Sequence, residues 1–245
     1  FKNFEFELIR FFSMSSPITE EEFKSLPSQE ISMKIYQTAF DHYREKMMKR
    51  RPGQSQVLSV DEIKRLIQFQ KNSLHSTRNI CLINLSTFTG MRVGEVSQLK
   101  LKDVVDENWN IKEEVVLQKE YTKTNKNRVV YLVHKDVRKS LEKYILERRT
   151  AETKKETRNV MKKPLFVSQK NGSFSPRTLQ RLYKNMCRSV GLDEMKSSHS
   201  FRRTFITNLI SSGIDMKTVS TLVGHSSIQT TVDTYAVANP NKMVN

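Results

Sequence analysis

Two arginines, two histidines, a lysine and a tyrosine are spaced along this chain in a way that suits phosphate handling. His199 and Arg202 stand three apart, His225 follows a helix later, and Tyr235 closes the run. Upstream lie Arg92, with Glu95 three residues on, and Lys123. Together they form a set of phosphate-binding cations with a phenol at its end. Each also has an ordinary reading. His199 alone is a structural histidine, and Arg92 with Glu95 is a surface pair on one helical face. Lys123 and Lys126 are a solvated turn that blunts an edge strand. Tyr235 is one of seven tyrosines. Tyr144 and Tyr183 are alternative phenols on basic helices, and His42, His75 and His134 have no matching context.

Composition favours the chemical reading. The 245 residues carry 42 Lys and Arg against 26 acids, a net charge of +16, which is a balance for binding a polyanion such as nucleic acid. A hydrophobic share of 37% supports a buried core in one large domain or two smaller ones. The two cysteines, Cys81 and Cys187, lie far apart in apolar helical patterns without ligand spacing. Buried, reduced thiols are expected, with neither a disulfide nor a zinc site, and this suits the cytoplasm. No apolar run reaches the ~18 residues of a spanning helix. The first residue is Phe, so an earlier start is expected.

The elements that must position these residues read mainly as helices. Residues 1–51 form a helical domain, expected to be incomplete, with Phe4, Leu8, Phe11 and Phe12 on one face and Ile35, Ala39, Phe40, Tyr43 and Met47 on another stripe. Pro52-Gly-Gln-Ser-Gln56 opens a linker over 52–57, and a second domain spans 58–245. Within it Ser59-Val-Asp-Glu62 is a capping box for a helix to Gln70. Residues 77–89 are apolar almost all round and predict a central helix. Gly90 ends it and puts Arg92 at the next helix N-terminus, where backbone N–H groups favour an anion and Glu95 braces the guanidinium.

The period then becomes strand-like. Residues 114–121 and 128–133 flank a Lys- and Asn-rich hairpin tip, which reads as a mobile loop delivering an ammonium to a phosphate oxygen. A helix follows over 135–149, then a charged connector over 150–163 and a short apolar strand, Pro164–Ser168. Ser175-Pro176 caps a helix to Val190, whose Arg177, Arg181, Lys184 and Arg188 lie near one face and suit backbone contact. Helices over His199–Ser212 and Met216–Leu222 and a final short helix or turn, Ser226–Tyr235, complete the chain.

At these residues the chain resembles the tyrosine recombinases, the phage-integrase and Xer-like family. Thr89-Gly-Met-Arg92-Val-Gly-Glu95 resembles the first arginine box, and His199-Ser-Phe-Arg202-Arg-Thr-Phe the H-x-x-R box. Leu222-Val-Gly-His225-Ser-Ser-Ile-Gln-Thr-Thr resembles the third box, and Tyr235 stands at the nucleophile position. Tyr121-Thr-Lys123-Thr-Asn-Lys-Asn-Arg128 resembles the hairpin with the family's lysine, Lys126 being the alternative. Phe174-Ser-Pro-Arg-Thr178 resembles a segment before the second box. The likeness runs from Leu58 to Ala236. Tyr235 lies ten residues after His225, where many members have nine. The tail after it is short for the usual docking helix.

The resemblance implies a mainly α fold with a small antiparallel β-sheet (α+β): a helical, core-binding DNA clamp followed by a catalytic domain. It implies that Arg92 and Arg202 clamp a phosphate, that His199 and His225 bond it or take the phenolic proton, and that Lys123 protonates the 5′ oxygen. Glu95 supports the arginines. Tyr235 attacks to give a 3′-phosphotyrosine, without metal, ATP or other cofactor. Lys126, Arg177, Arg181, Lys184 and Arg203 are the expected DNA contacts. The implied partners are duplex DNA with a specific site, three further copies of the chain around a Holliday junction, and accessory DNA-bending proteins, with no membrane. The implied setting is the bacterial nucleoid or a phage or mobile element. Two rivals are a type IB topoisomerase-like nicking and resealing enzyme and a catalytically silent DNA-binding protein.

Overall fold

The computed structural model describes residues 55–121, 127–153, 159–169, 172–192 and 196–238. The helical domain expected at 1–51, Lys123 and Lys126 lie outside the described residues.

Ser59 starts α1 (Val60–Gln70) through a reciprocal cap: its hydroxyl accepts from the Glu62 N–H, and the Glu62 carboxylate accepts from the Ser59 N–H at 2.8 Å. In α2 (Ser76–Thr89), Cys81, Leu82, Ile83 and Leu85 are at most 1% exposed. Gly90, at φ +61°, stops α2, and α3 (Val93–Gln98) begins at once with Arg92 as its cap. One turn of helix, α4 (Leu101–Val104), leads to the antiparallel pair β1 (Glu114–Leu117) and β2 (Arg128–Tyr131), in a register that sets Leu117 opposite Arg128. After them come α5 (Lys135–Thr153), α6 (Pro176–Arg188), α7 (Ser198–Ser211), α8 (Met216–Val223) and α9 (Ile228–Ala238). Ser175 caps α6 with Pro176 at its first position, as the sequence predicts.

Helix α2 is central: α1, α5 and α7 all pack on it. Its side chains join the main core, while Ile206, Val219 and Val223 form a smaller one between α7 and α8. Helix α9 closes over α7 and α8. Among the described residues the architecture is mainly α with one two-stranded antiparallel sheet. Both cysteines are free and buried.

Two local expectations change. Pro164–Ser168 makes only isolated bridges, Lys100 to Pro164 and Val167 to Ser173. The Arg148 guanidinium donates to the Pro164 and Leu165 carbonyls at 2.8 and 2.7 Å, taking acceptors a ladder would need. Helix α5 also runs to Thr153, into the expected connector, because Arg148 and Glu152 pair one turn apart at 3.0 Å and Lys163 returns to the same carboxylate. Among the described residues no helix is long and apolar enough to cross a membrane.

Gly90 lets the corner between α2 and α3 come close to α7. A Cβ there would collide with the Phe205 ring, in a left-handed conformation that side chains resist. Gly90→Ala is expected to lower the unfolding free energy read from urea denaturation by more than the ~1–2 kcal/mol of that conformation. Gly213→Ala, at φ +88° in open space, is the control for the conformational cost alone.

Candidate active site

Three guanidiniums from three separate elements meet at the carboxyl end of α8. Arg92, capping α3, donates from Nη2 to the Gly224 carbonyl at 2.7 Å. Arg202, in the second turn of α7, donates to the Gly90 carbonyl at 2.5 Å and the Val223 carbonyl at 2.6 Å. Arg128, the first residue of β2, donates to the Leu222 carbonyl at 2.8 Å. The last carbonyls of a helix have no partner within it and carry the negative end of its dipole, so they are natural acceptors for cations. Gly224, at φ +66°, permits the crowding: a Cβ there would lie 2.9 Å from the Arg128 Cδ.

Glu95 ties the arginines together. It is 1% exposed. One oxygen accepts from the Arg92 guanidinium at 3.0 Å, and the other from the Arg92 backbone N–H at 2.7 Å and Arg128 Nη2 at 2.6 Å. Burial pushes its carboxyl up, but Arg128, the Arg92 N–H and Arg202 outweigh this and hold it below the usual carboxylate range. Arg202 is 6% exposed. Burial, then Arg92 and Arg128, bring its guanidinium down to about 9, so it stays charged at neutral pH.

His225 follows the Gly224 turn directly. Its Nδ1 lies 2.8 Å from the Thr231 hydroxyl on α9. Burial lowers it to about 4, with Arg202, Arg92 and Arg128 adding to the shift, so its ring is neutral at pH 7. His199 is exposed in the first turn of α7, one turn before Arg202. Tyr235 sits in the last two turns of α9 and is 8% exposed. The final short helix or turn expected there is thus an eleven-residue helix.

Arg92, Glu95, Arg202 and His225 therefore converge, and α7 and α9 place His199 and Tyr235 on the helices around them. Arg177 and Arg181 are exposed and Lys184 is half-buried on α6. Arg203 turns toward the entry segment, donating to the Ser55 carbonyl at 2.8 Å. Ser55 Oγ also meets Ser197 Oγ at 2.7 Å, and the Leu58 N–H donates to Thr204 at 2.8 Å. Sequence reasoning missed Arg128 as a member of the cluster. Its position just past the hairpin tip was the available signal, but its partners lie 33 and 94 residues away.

The Phage integrase family model matches residues 56–242. Tyrosine recombinase XerD of Oceanobacillus iheyensis is 30% identical over 175 residues, 71% of this chain and 55% of that protein. Transposase A from transposon Tn554 of Staphylococcus aureus is 26% identical over 83% of this chain and 55% of its own length. The chain spans little more than half of these curated relatives. Among solved structures, XerA recombinase superposes with a TM-score of 0.58 at 30% identity, over 76% of this chain and 60% of that one. XerH recombinase bound to difH substrate gives 0.56 at 26% identity, over 73% and 49%. With the family pattern running through all the elements that carry the arginine cluster, the chain belongs to the phage integrase family.

Proposed function

We propose that the chain is the catalytic part of a site-specific DNA recombinase that breaks and rejoins duplex DNA through a 3′-phosphotyrosine. The observation that carries this reading is the joining of Arg92 and Arg202 at the α8 carboxyl end beside a neutral His225. Bound XerH and its substrate DNA, at 26% identity, support DNA as the partner.

In the proposed reaction the two arginines hold the non-bridging oxygens, where preorganised donors stabilise the growing charge. Tyr235 Oη attacks phosphorus, and the 5′ oxygen leaves with a proton from Lys123. His199 and His225 serve the phosphate and the phenol, and Glu95 keeps the arginines in place. One ester is exchanged for another, so rejoining draws its energy from the phosphotyrosine and needs no ATP. Residues 1–51 form the clamp, 52–57 the linker and 58–245 the catalytic domain. Lys126, Arg177, Arg181, Lys184 and Arg203 are proposed to contact DNA. Strand exchange proceeds in a tetramer through a Holliday junction, in a bacterium or from a phage or mobile element.

The test is a duplex nicked beside the cleavage position, so that the freed fragment diffuses away and the covalent complex accumulates. A denaturing gel is expected to show protein joined to the 3′ end. Absence of an adduct across a panel of recombination sites sinks the catalytic reading and leaves a DNA-binding protein. Recombinant products from two-site DNA then separate a recombinase from a type IB topoisomerase-like enzyme, which gives nicking and resealing alone.

A further inference from the structure

The hydroxyl of Thr231 stands apart from its neighbours. At Thr204, Thr221 and Thr234 the side chain donates to the carbonyl four residues earlier in its own helix, at 2.9, 3.0 and 2.7 Å, the usual resting place of a helical threonine proton. Thr231 is fully buried, and its hydroxyl instead meets Nδ1 of His225 at 2.8 Å. It lies one helical turn before Tyr235 on the same helix, so a single element reaches both the histidine and the phenol.

A neutral imidazole carries one proton, and the partner of one nitrogen decides which nitrogen holds it. The charged groups that shift His225 are Arg202 from α7, Arg92 from α3 and Arg128 from β2, all cations that disfavour a second proton on its ring. We propose that Thr231 is a positioning residue that donates its hydroxyl proton to Nδ1 and thereby holds His225 in the Nε2–H tautomer. In that form Nε2 is a hydrogen-bond donor for a phosphate oxygen. In the other it would present a lone pair to an oxygen already rich in electrons. The assignment also removes His225 as the base for the phenol and leaves that task to His199. It rests on the recombinase reading for its role in the reaction, though not for its tautomer.

Nitrogen-15 NMR of the whole chain, labelled in its five histidines, reads the tautomer directly, with H225Q assigning the signal. Wild type and Thr231→Ser are expected to show Nε2–H, and Thr231→Val, of equal volume, a mixture of the two forms. The Nδ1–H form in wild type, or an unaltered signal in Thr231→Val, overturns the proposal. Adduct formation on the nicked duplex is expected to fall roughly ten- to a hundredfold in Thr231→Val and to be restored by serine. If wild type forms no adduct while its tautomer is Nε2–H, the recombinase reading fails and the tautomer assignment stands.

Discussion

Tyr235→Phe is expected to abolish the covalent protein–DNA adduct while leaving the fold and DNA binding intact. The ring is 8% exposed within α9, which packs on α7 and α8. Phenylalanine keeps that packing and removes one oxygen, a loss of about 0.5–1.5 kcal/mol if the hydroxyl is bonded. In the proposed reaction that oxygen is the nucleophile, so without it the adduct is expected to go from accumulating to absent. The other candidate phenols serve as controls. Tyr183 Oη donates to the Leu82 carbonyl at 3.0 Å and also meets Ser86, and burial pushes its ionisation far above the ordinary range. Tyr144 donates to the Leu165 carbonyl at 3.1 Å and is likewise raised by burial. Both are core hydroxyls with their protons committed, so Tyr183→Phe is expected to retain the adduct. An adduct surviving Tyr235→Phe would assign the nucleophile elsewhere. Because the resting ring is nearly covered, we expect cleavage to require α9 to shift when DNA is bound, with covalent capture slower than binding in stopped-flow experiments.

The second large effect is expected at Glu95. Glu95→Gln keeps the volume and removes a carboxylate bonded to both Arg92 and Arg128, with Arg202 close by. Breaking a buried ion pair by removing one partner costs about 3–5 kcal/mol, because the remaining charges are left uncompensated. Urea denaturation at pH 7 is expected to show a loss of that order, and the adduct rate to fall as the arginines lose their spacing. The pH dependence has a definite sign. An unfolded glutamate titrates near about 4.3, and the folded Glu95 lies below its ordinary range. Its contribution is therefore complete above about pH 4.3 and fades as pH falls through the folded value. The stability gap between wild type and Glu95→Gln is expected to narrow in acid. A gap unchanged down to pH 3, or no gap at pH 7, would show that the pairing contributes nothing.

Much of the local structure was legible because its causes are local. The Ser59–Glu62 cap, the Ser175-Pro176 start and the Gly90 stop each depend on residues within one helical turn, and each stands where the spacing put it. The apolar surround of residues 77–89 foretold a helix covered on several sides, as α2 is. The Arg92–Glu95 brace was readable for the same reason. The fate of Pro164–Ser168 was not, because a guanidinium from α5 claims its carbonyls, and no window of sequence around that segment contains Arg148 beside it.

The sequence by itself determined which side chains were available for the proposed phosphate chemistry, in what order, and on which short elements. Only the tertiary structure decided how they are held. Arg128 joins the cluster through Glu95 and the Leu222 carbonyl, contacts made by folding β2 against α3 and α8. The acceptors that gather the arginines are backbone carbonyls, whose identity no residue type records, exposed because a helix ends at Gly224. The tautomer partner of His225 and the covering of Tyr235 both follow from the seating of α9 on its neighbours. A motif can name a histidine and a tyrosine; the proton on one and the concealment of the other depend on packing between helices.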